Sequence, residues 1–289
     1  MRDRFYRFVS ICLLAALILA VTASKATKKS SAPKARTPYS LRLRSPAAVV
    51  VDMENRVILY EKNPTLRRSI ASITKLMTVL VFREFTSDLD VPIIIQNHDR
   101  TSTSSSFPVG NSYRLLHLLH GVLMASDNRA AMALARSTGL STDEFVARMN
   151  DKAAQLGLWD THFADPTGLK EENVSSALDC VKLIETALQD TLIAQISTKK
   201  EYHCRSMLKK RPITLYNTNR LLSHDDMQIL GGKTGFIRRS GYCLVTCVGD
   251  HNGKKIAFVL LGAPSNTLRF QEMYRLIRWT SQNYKLAIS

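Results

Sequence analysis

ASITKLMT, Ala71 to Thr78, sets a serine three residues before a lysine, and apolar residues then continue at helical spacing. Two readings meet here. Ser72 can cap a helix, because a serine hydroxyl accepts one of the free backbone N–H groups of a first turn. Alternatively Ser72 and Lys75, one turn apart on one face, are a nucleophile and its base. The S-x-x-K spacing recurs by chance, so the choice depends on what else the chain carries.

Two further triplets supply that context. Ser126-Asp127-Asn128 falls where two helical patterns meet, and Lys233-Thr234-Gly235 precedes the strand-like run YCLVTCV. Each alone reads as a turn or a cap. Together and in this order, S-x-x-K, S-D-N and K-T-G are the set of class A β-lactamases and penicillin-binding proteins. The residue types suit acyl transfer. A serine hydroxyl needs a base within hydrogen-bond reach. A lysine acts as that base when burial or a neighbouring cation lowers its pKa. Lys233 is placed to supply such a cation and to bind an anionic substrate. Ser126 is suited to relay a proton to the leaving nitrogen, and Asn128 to hold Lys75 and the substrate amide. An oxyanion needs two N–H donors. Ser72 offers one, and Phe236, on the strand after K-T-G, offers the other.

Outward from these motifs the chain reads as α+β. AAVVVDMENRVILYEKNP, residues 47–64, is a β-hairpin pattern. ITKLMTVLVFREF is helical and VPIIIQ is a short strand. STDEFVARMNDKAAQLG is an amphipathic helix with Ser141 as cap, Glu144 three residues later and Gly157 at its end. HFADPTGLKEEN is a loop, SALDCVKLIETALQD a helix, and strands dominate from about Tyr202 to Leu261. FQEMYRLIRWTSQNY closes the chain as a helix. The final strands are expected to pair with the first hairpin in one antiparallel sheet, with helices on both faces and an all-helical subregion in the middle of the chain.

The chain has 289 residues and a formal charge of +16. Such a surface attracts polyanions: nucleic acid, an acidic wall polymer or an anionic membrane. The N-terminus narrows the choice. MRDRFYR is basic, FVSICLLAALILAV is uncharged, and small residues follow in TASKA. Residues 1–23 therefore read as a secretory signal peptide, with an uncleaved anchor as the alternative. Either takes the body of the protein out of the cytoplasm, periplasmic or extracytoplasmic, and argues against nucleic acid as a partner. Removing residues 1–23 takes away three Arg and one Asp and leaves +14. Residues 24–45, rich in Lys, Arg, Ser and Pro without acidic residues, read as a disordered basic linker. That linker suits weak contact with an anionic membrane or wall polymer. Cys180, Cys204, Cys243 and Cys247 match no zinc spacing, and Cys243 and Cys247, four apart on a strand, cannot bridge. The histidines form no metal pattern either, so no metal and no cofactor is expected.

Longer stretches carry a family resemblance. RRSIASITKLMT, SDNRAAMALA, HFADPTGLKEENVSSALD and GGKTGFIRRSGYCLV resemble the D-alanyl-D-alanine carboxypeptidase family of low-molecular-mass penicillin-binding proteins, from about Pro46 to Tyr284. SDNRAA, NVSSALD and LYNTNRLL resemble its D-alanyl-D-alanine endopeptidase branch. The resemblance implies a β-lactamase/penicillin-binding transpeptidase-like fold over residues 46–289, without the C-terminal β-rich domain of many relatives. It implies that Ser72 is acylated with Lys75 as base, that Ser126 and Asn128 form a second wall, and that Lys233, Thr234 and Gly235 lie on a substrate-binding strand. Arg269 falls where the family places an arginine near the substrate carboxylate; the alternative is a solvated charge at a helix start. The implied partners are peptidoglycan stem peptides, with cross-links cut by an endopeptidase or terminal D-alanine removed by a carboxypeptidase, and β-lactams as covalent inhibitors. Ile237 stands where the family usually has Thr, and Arg238 and Arg239 where smaller or acidic residues are common. A class A β-lactamase would need a deacylating glutamate, for which the loop offers Glu171 and Glu172 without the usual wording. A non-catalytic wall-binding module is the remaining alternative.

Overall fold

The structure is a computed structural model, and it describes residues 41–284 and Leu286. The signal segment and most of the expected linker lie outside the described residues. In chain order the hairpin is β1 (Ala47–Asp52) and β2 (Val57–Lys62), followed by β3 (Arg68–Ser69) and helix α1 (Lys75–Phe85). Next come β4 (Pro92–Ile94), β5 (Ser112–Arg114), α2 (Leu115–Leu123), α3 (Asn128–Ser137) and α4 (Thr142–Gln155). Then follow β6 (Val174–Ser175), α5 (Ala177–Ala187), α6 (Thr191–Thr198), β7 (Glu201–Arg205) and β8 (Pro212–Tyr216). The chain ends with β9 (Gln228–Ile237), β10 (Gly241–Gly249), β11 (Lys255–Ala263) and α7 (Asn266–Tyr284).

The main sheet is five-stranded, in the order β2-β1-β11-β10-β9. The pairs are antiparallel, with Ala47 opposite Leu261 and Cys243 opposite Gly235. The final strands thus join the first hairpin, as expected. Side chains alternate between the two faces of a strand. Val49, Val51, Val245, Val259 and Leu261 enter the larger core, with Leu76, Leu118, Leu134 and Ile184 of the helices. Val50, Leu244, Phe258 and Leu260 enter a second core against Met273, Leu276 and Ile277 of α7. Both faces being covered explains why β1 is apolar almost throughout. Cys243 and Cys247 share the larger-core face. All four cysteines of the folded region are buried and free.

Three local features refine the expectations. α4 begins with the expected capping box: the Ser141 hydroxyl accepts from Glu144 N–H while the Glu144 carboxylate accepts from Ser141 N–H. α7 begins at Asn266, four residues before the expected start. Ser265 accounts for this, its hydroxyl accepting from Leu268 N–H and its carbonyl from Arg269 N–H. Residues 41–45, which the sequence assigns to the basic linker, pack against the rest of the described chain. Leu43 and Ser45 are buried. The Glu272 carboxylate, itself buried, accepts from Arg44 N–H at 2.5 Å and from Ser45 N–H at 3.1 Å. Lys62 Nζ donates to the Leu43 carbonyl at 2.7 Å. Hydrogen bonds to a buried charge are among the stronger ones, and they outweigh the disorder that the basic composition suggests.

Candidate active site

Ser72 lies on a single 3₁₀ turn, Ala71–Thr74, that leads straight into α1. No side chain caps that turn or α1, so the capping role considered for Ser72 is not the one it has. Its hydroxyl instead accepts from Lys75 Nζ at 2.8 Å. Two glycines press on the turn. A Cβ at Gly168, where φ is +80°, would stand 2.1 Å from the Ala71 carbonyl oxygen and 2.9 Å from Ser72 N. A Cβ at Gly235 on β9 would stand 2.6 Å from the Ile70 carbonyl oxygen and 3.1 Å from Ser72 N. Only glycine lets these two backbones approach Ser72 so closely. Ala71, between them, adopts φ +48°, a left-handed conformation that costs a non-glycine residue about 1–3 kcal/mol.

Lys75 is fully buried. Its Nζ donates to Ser72 Oγ, to Asn128 Oδ1 at 2.6 Å and to the Thr167 carbonyl at 2.5 Å. These three bonds use all three hydrogens of an ammonium group. Burial lowers its pKa to about 7, although Asp165 and Asp127 pull the other way. Desolvation, rather than the Lys233 charge invoked from the sequence, is what brings this lysine toward neutrality. The Thr167 carbonyl is itself held in place. The Asp165 carboxylate accepts from Thr167 N–H and Oγ–H, from Gly168 N–H and Lys170 N–H, and from Asn173 Nδ2. Burial would raise the Asp165 pKa, but these bonds hold it below the usual carboxylate range.

Ser126 sits between α2 and α3 with φ +59°. Asp127 makes the junction: its carboxylate caps α3 at Ala130 N–H and accepts from Ser105 Oγ–H and Ser106 N–H. Asn128 then reaches Lys75 with its carbonyl oxygen and Thr103 Oγ1 with its amide, at 2.7 Å. Lys233, also buried, donates to Ser126 Oγ at 2.9 Å and to the Thr234 carbonyl at 3.0 Å. Its pKa is held well below the ordinary lysine range by burial, with Lys75 and Arg269 adding repulsion. The site therefore contains two serine–lysine pairs, Ser72 with Lys75 and Ser126 with Lys233.

β9 is an edge strand. Thr234, Gly235 and Phe236 line a cleft of about 520 Å³ together with Ser72, Ser126, Asn128 and Arg269. Phe236 is half exposed and stacks on Tyr242 with ring centres 4.1 Å apart. Arg269 is not a solvated helix-start charge. It is 5% exposed, and its Nη1 donates to the carbonyls of Gly235 and Cys243, each at 3.2 Å. Burial lowers its pKa to about 10. Ile237 ends β9, and its N–H donates to Ser240 Oγ at 3.0 Å. Glu171 and Glu172 line a separate cavity with Arg67, Arg68 and Arg239. Among the described residues no His/Cys/Asp/Glu cluster suits a metal ion, and no helix is long and apolar enough to cross a membrane.

The sequence reading missed several residues at the cleft. Thr218 Oγ1 lies 2.7 Å from Thr234 Oγ1, and Arg220 lines the mouth. Both belong to LYNTNRLL, residues 215–222, which carries no catalytic motif of its own. Thr103 and the Thr167 carbonyl come from loops whose approach is purely tertiary.

The chain is also similar to known proteins. A model of the D-alanyl-D-alanine carboxypeptidase family matches residues 30–265. A D-alanyl-D-alanine endopeptidase of Pseudomonas aeruginosa is 35% identical over 291 residues, covering 100% of this chain and 92% of that protein. The Escherichia coli protein of the same name is 34% identical, over 94% of this chain and 87% of its own. The crystal structure of a Streptomyces DD-transpeptidase superposes with a TM-score of 0.77 at 26% identity, covering 83% of this chain and 98% of that one. With the antiparallel sheet, the helical region and the three motifs in one cleft, these matches show that the chain belongs to the D-alanyl-D-alanine carboxypeptidase family of serine peptidases.

Proposed function

We propose that this DD-peptidase cleaves D-alanyl bonds of peptidoglycan stem peptides through an acyl-enzyme on Ser72, and that its main substrates are cross-links between peptides. The observation that carries the reading is the fully buried Lys75 ammonium, 2.8 Å from Ser72 Oγ and with its pKa lowered to about 7. Once Lys75 loses its proton, its lone pair accepts the Ser72 hydroxyl proton as Oγ attacks the carbonyl carbon of a D-alanyl residue. The oxyanion is assigned to the N–H groups of Ser72 and Phe236. Ser126, bonded to Lys233, relays to the leaving amine the proton that Lys75 took from Ser72, which leaves Lys75 neutral again. Asn128 holds Lys75 and the substrate amide, while Thr234, Lys233 and Arg269 face the anionic end of the peptide. Water then releases the acyl group, with Lys75 again as base. Cross-link cleavage is favoured by the endopeptidases of Pseudomonas aeruginosa and Escherichia coli, which match this chain over nearly its whole length. Removal of terminal D-alanine is the second reading, favoured by a carboxypeptidase of Bacillus subtilis that is 29% identical. The signal-like N-terminus fits action outside the cytoplasm, and the basic segment after it fits loose contact with anionic wall or membrane.

The same geometry makes β-lactams covalent inhibitors with slow release. Neither Glu171 nor Glu172 lines the Ser72 cleft, so neither is positioned to activate a deacylating water. Incubation with benzylpenicillin and intact-protein mass spectrometry is expected to give a one-to-one adduct that maps to Ser72 and outlasts the free drug. Rapid multiple turnover of the drug would instead assign a β-lactamase.

A further inference from the structure

A second groove, of about 850 Å³, opens beside the active-site cleft. Its floor includes Phe270, and Tyr274 flanks it. Four exposed arginines from three separate segments surround it: Arg42 and Arg44 of the N-terminal strap, Arg220 after β8, and Arg275 of α7. Arg220 also lines the Ser72 cleft, so the two spaces share a lip. Its guanidinium lies over the Phe270 ring, 6.0 Å from the centre. The strap arginines are held in place by the strap itself, since Arg44 N–H and Ser45 N–H are bonded to Glu272.

The groove has more positive charge than its own carboxylates answer. Among the described residues no ion pair engages Arg42, Arg44 or Arg220. Arg275 lies 3.7 Å from Glu272, but that carboxylate is buried and occupied by the strap. Asp226 accepts from the Tyr274 hydroxyl and lies 3.9 Å from His224. An apolar floor ringed by guanidinium groups suits a ligand that carries carboxylates on an alkyl chain.

We propose that this groove binds the free carboxylates of a cross-linked stem-peptide pair as one strand leaves the cleft, and so selects cross-linked over monomeric substrate. The inference rests on the peptidase reading above and deepens it. A cross-linked pair carries glutamyl and diaminopimelyl carboxylates on two strands, and the strand beyond the scissile bond has to leave past the mouth of the cleft. Arg220 meets it there and the other three arginines lie further along. Several solvent-exposed charge pairs acting together amount to about a tenfold gain in affinity, weakened by salt.

The test separates binding from cleavage. In a Ser72→Ala background, a cross-linked muropeptide dimer is expected to bind about tenfold more tightly than the same dimer amidated at every carboxylate except the one beside the scissile bond, which faces Thr234 and Arg269 in the cleft. Adding Arg42→Ser and Arg275→Ser is expected to remove about half of that difference on a logarithmic scale, and adding Arg220→Ser as well to remove most of it. With Ser72 intact, the Arg42→Ser, Arg275→Ser protein should be acylated by benzylpenicillin within about twofold of the wild-type rate, since neither residue lines the cleft. Equal affinity for the two dimers, or a preference that survives both sets of substitutions, overturns the groove assignment. Charge-dependent binding without cleavage of the dimer supports the groove and sinks the endopeptidase reading. Cleavage with no charge dependence does the reverse.

Discussion

Replacing Lys75 by methionine is expected to slow acylation of Ser72 by about a thousandfold or more, with the protein still folded. Methionine keeps the length and burial of the side chain and removes the amine. In the wild type, the second-order rate of penicillin acylation should rise with pH through about 7, because the ammonium form has no lone pair to accept the Ser72 proton. The sign follows from burial: desolvation favours the neutral amine, so the competent form accumulates just above that pH rather than near the ordinary lysine value. The Lys75→Met variant should lose both the rate and the rising limb. A fall of less than about tenfold, or a limb that persists, would mean that another group takes the proton. The Ser126–Lys233 pair would then be the candidate, given its 2.9 Å hydrogen bond.

Gly168→Ala is the second change with a large expected effect, at a residue that does not line the Ser72 cleft. The new Cβ would fall 2.1 Å from the Ala71 carbonyl oxygen, a backbone atom, at a residue held at φ +80°. The left-handed conformation costs about 1–2 kcal/mol, and relieving such an overlap typically costs about 1–3 kcal/mol more. The relief also has to move functional atoms. The loop carries the Thr167 carbonyl that positions Lys75, and the turn carries Ser72 N. The urea midpoint should therefore fall by an amount equivalent to roughly 2–5 kcal/mol, and penicillin acylation should fall by about a hundredfold or more. A variant with wild-type stability and acylation rate would show that this packing is dispensable.

Much of this arrangement was legible in the sequence, and the exceptions have physical causes. The three motifs, the hairpin and the Ser141 capping box could be read because each depends on residues close in sequence, whose side chains carry the signal. The Thr167 carbonyl could not, because a backbone oxygen leaves no mark on residue type. The acid that orients it, Asp165, lies in the loop HFADPTGLKEEN, and an aspartate directly before Pro-Thr-Gly is the available clue. Arg220 and Thr218 enter the cleft only because β8 brings their segment beside β9. The strap at residues 41–45 read as disordered because basic composition dominates a short window. Yet Leu41-Arg42-Leu43-Arg44 alternates as a packed extended segment does, and its partner Glu272 lies 227 residues from Ser45. Arg269 could be placed near the substrate by family resemblance, whereas its burial against β9 and β10 could not be read from a helix-start arginine. α6 was missed because TLIAQIST is short and β-branched at several positions, so its helicity comes from packing, with Ile193 and Ile196 in the larger core.

The most direct test of the central claim is a digest of mixed muropeptides, pentapeptide monomers and cross-linked dimers, by the protein and by its Ser72→Ala variant, read by mass spectrometry. The account predicts that dimers are converted to monomers by the wild type and remain intact with the variant. Loss of terminal D-alanine from pentapeptides with dimers untouched would contradict the endopeptidase assignment, and cleavage that survives in the variant would contradict the Ser72 acyl-enzyme itself.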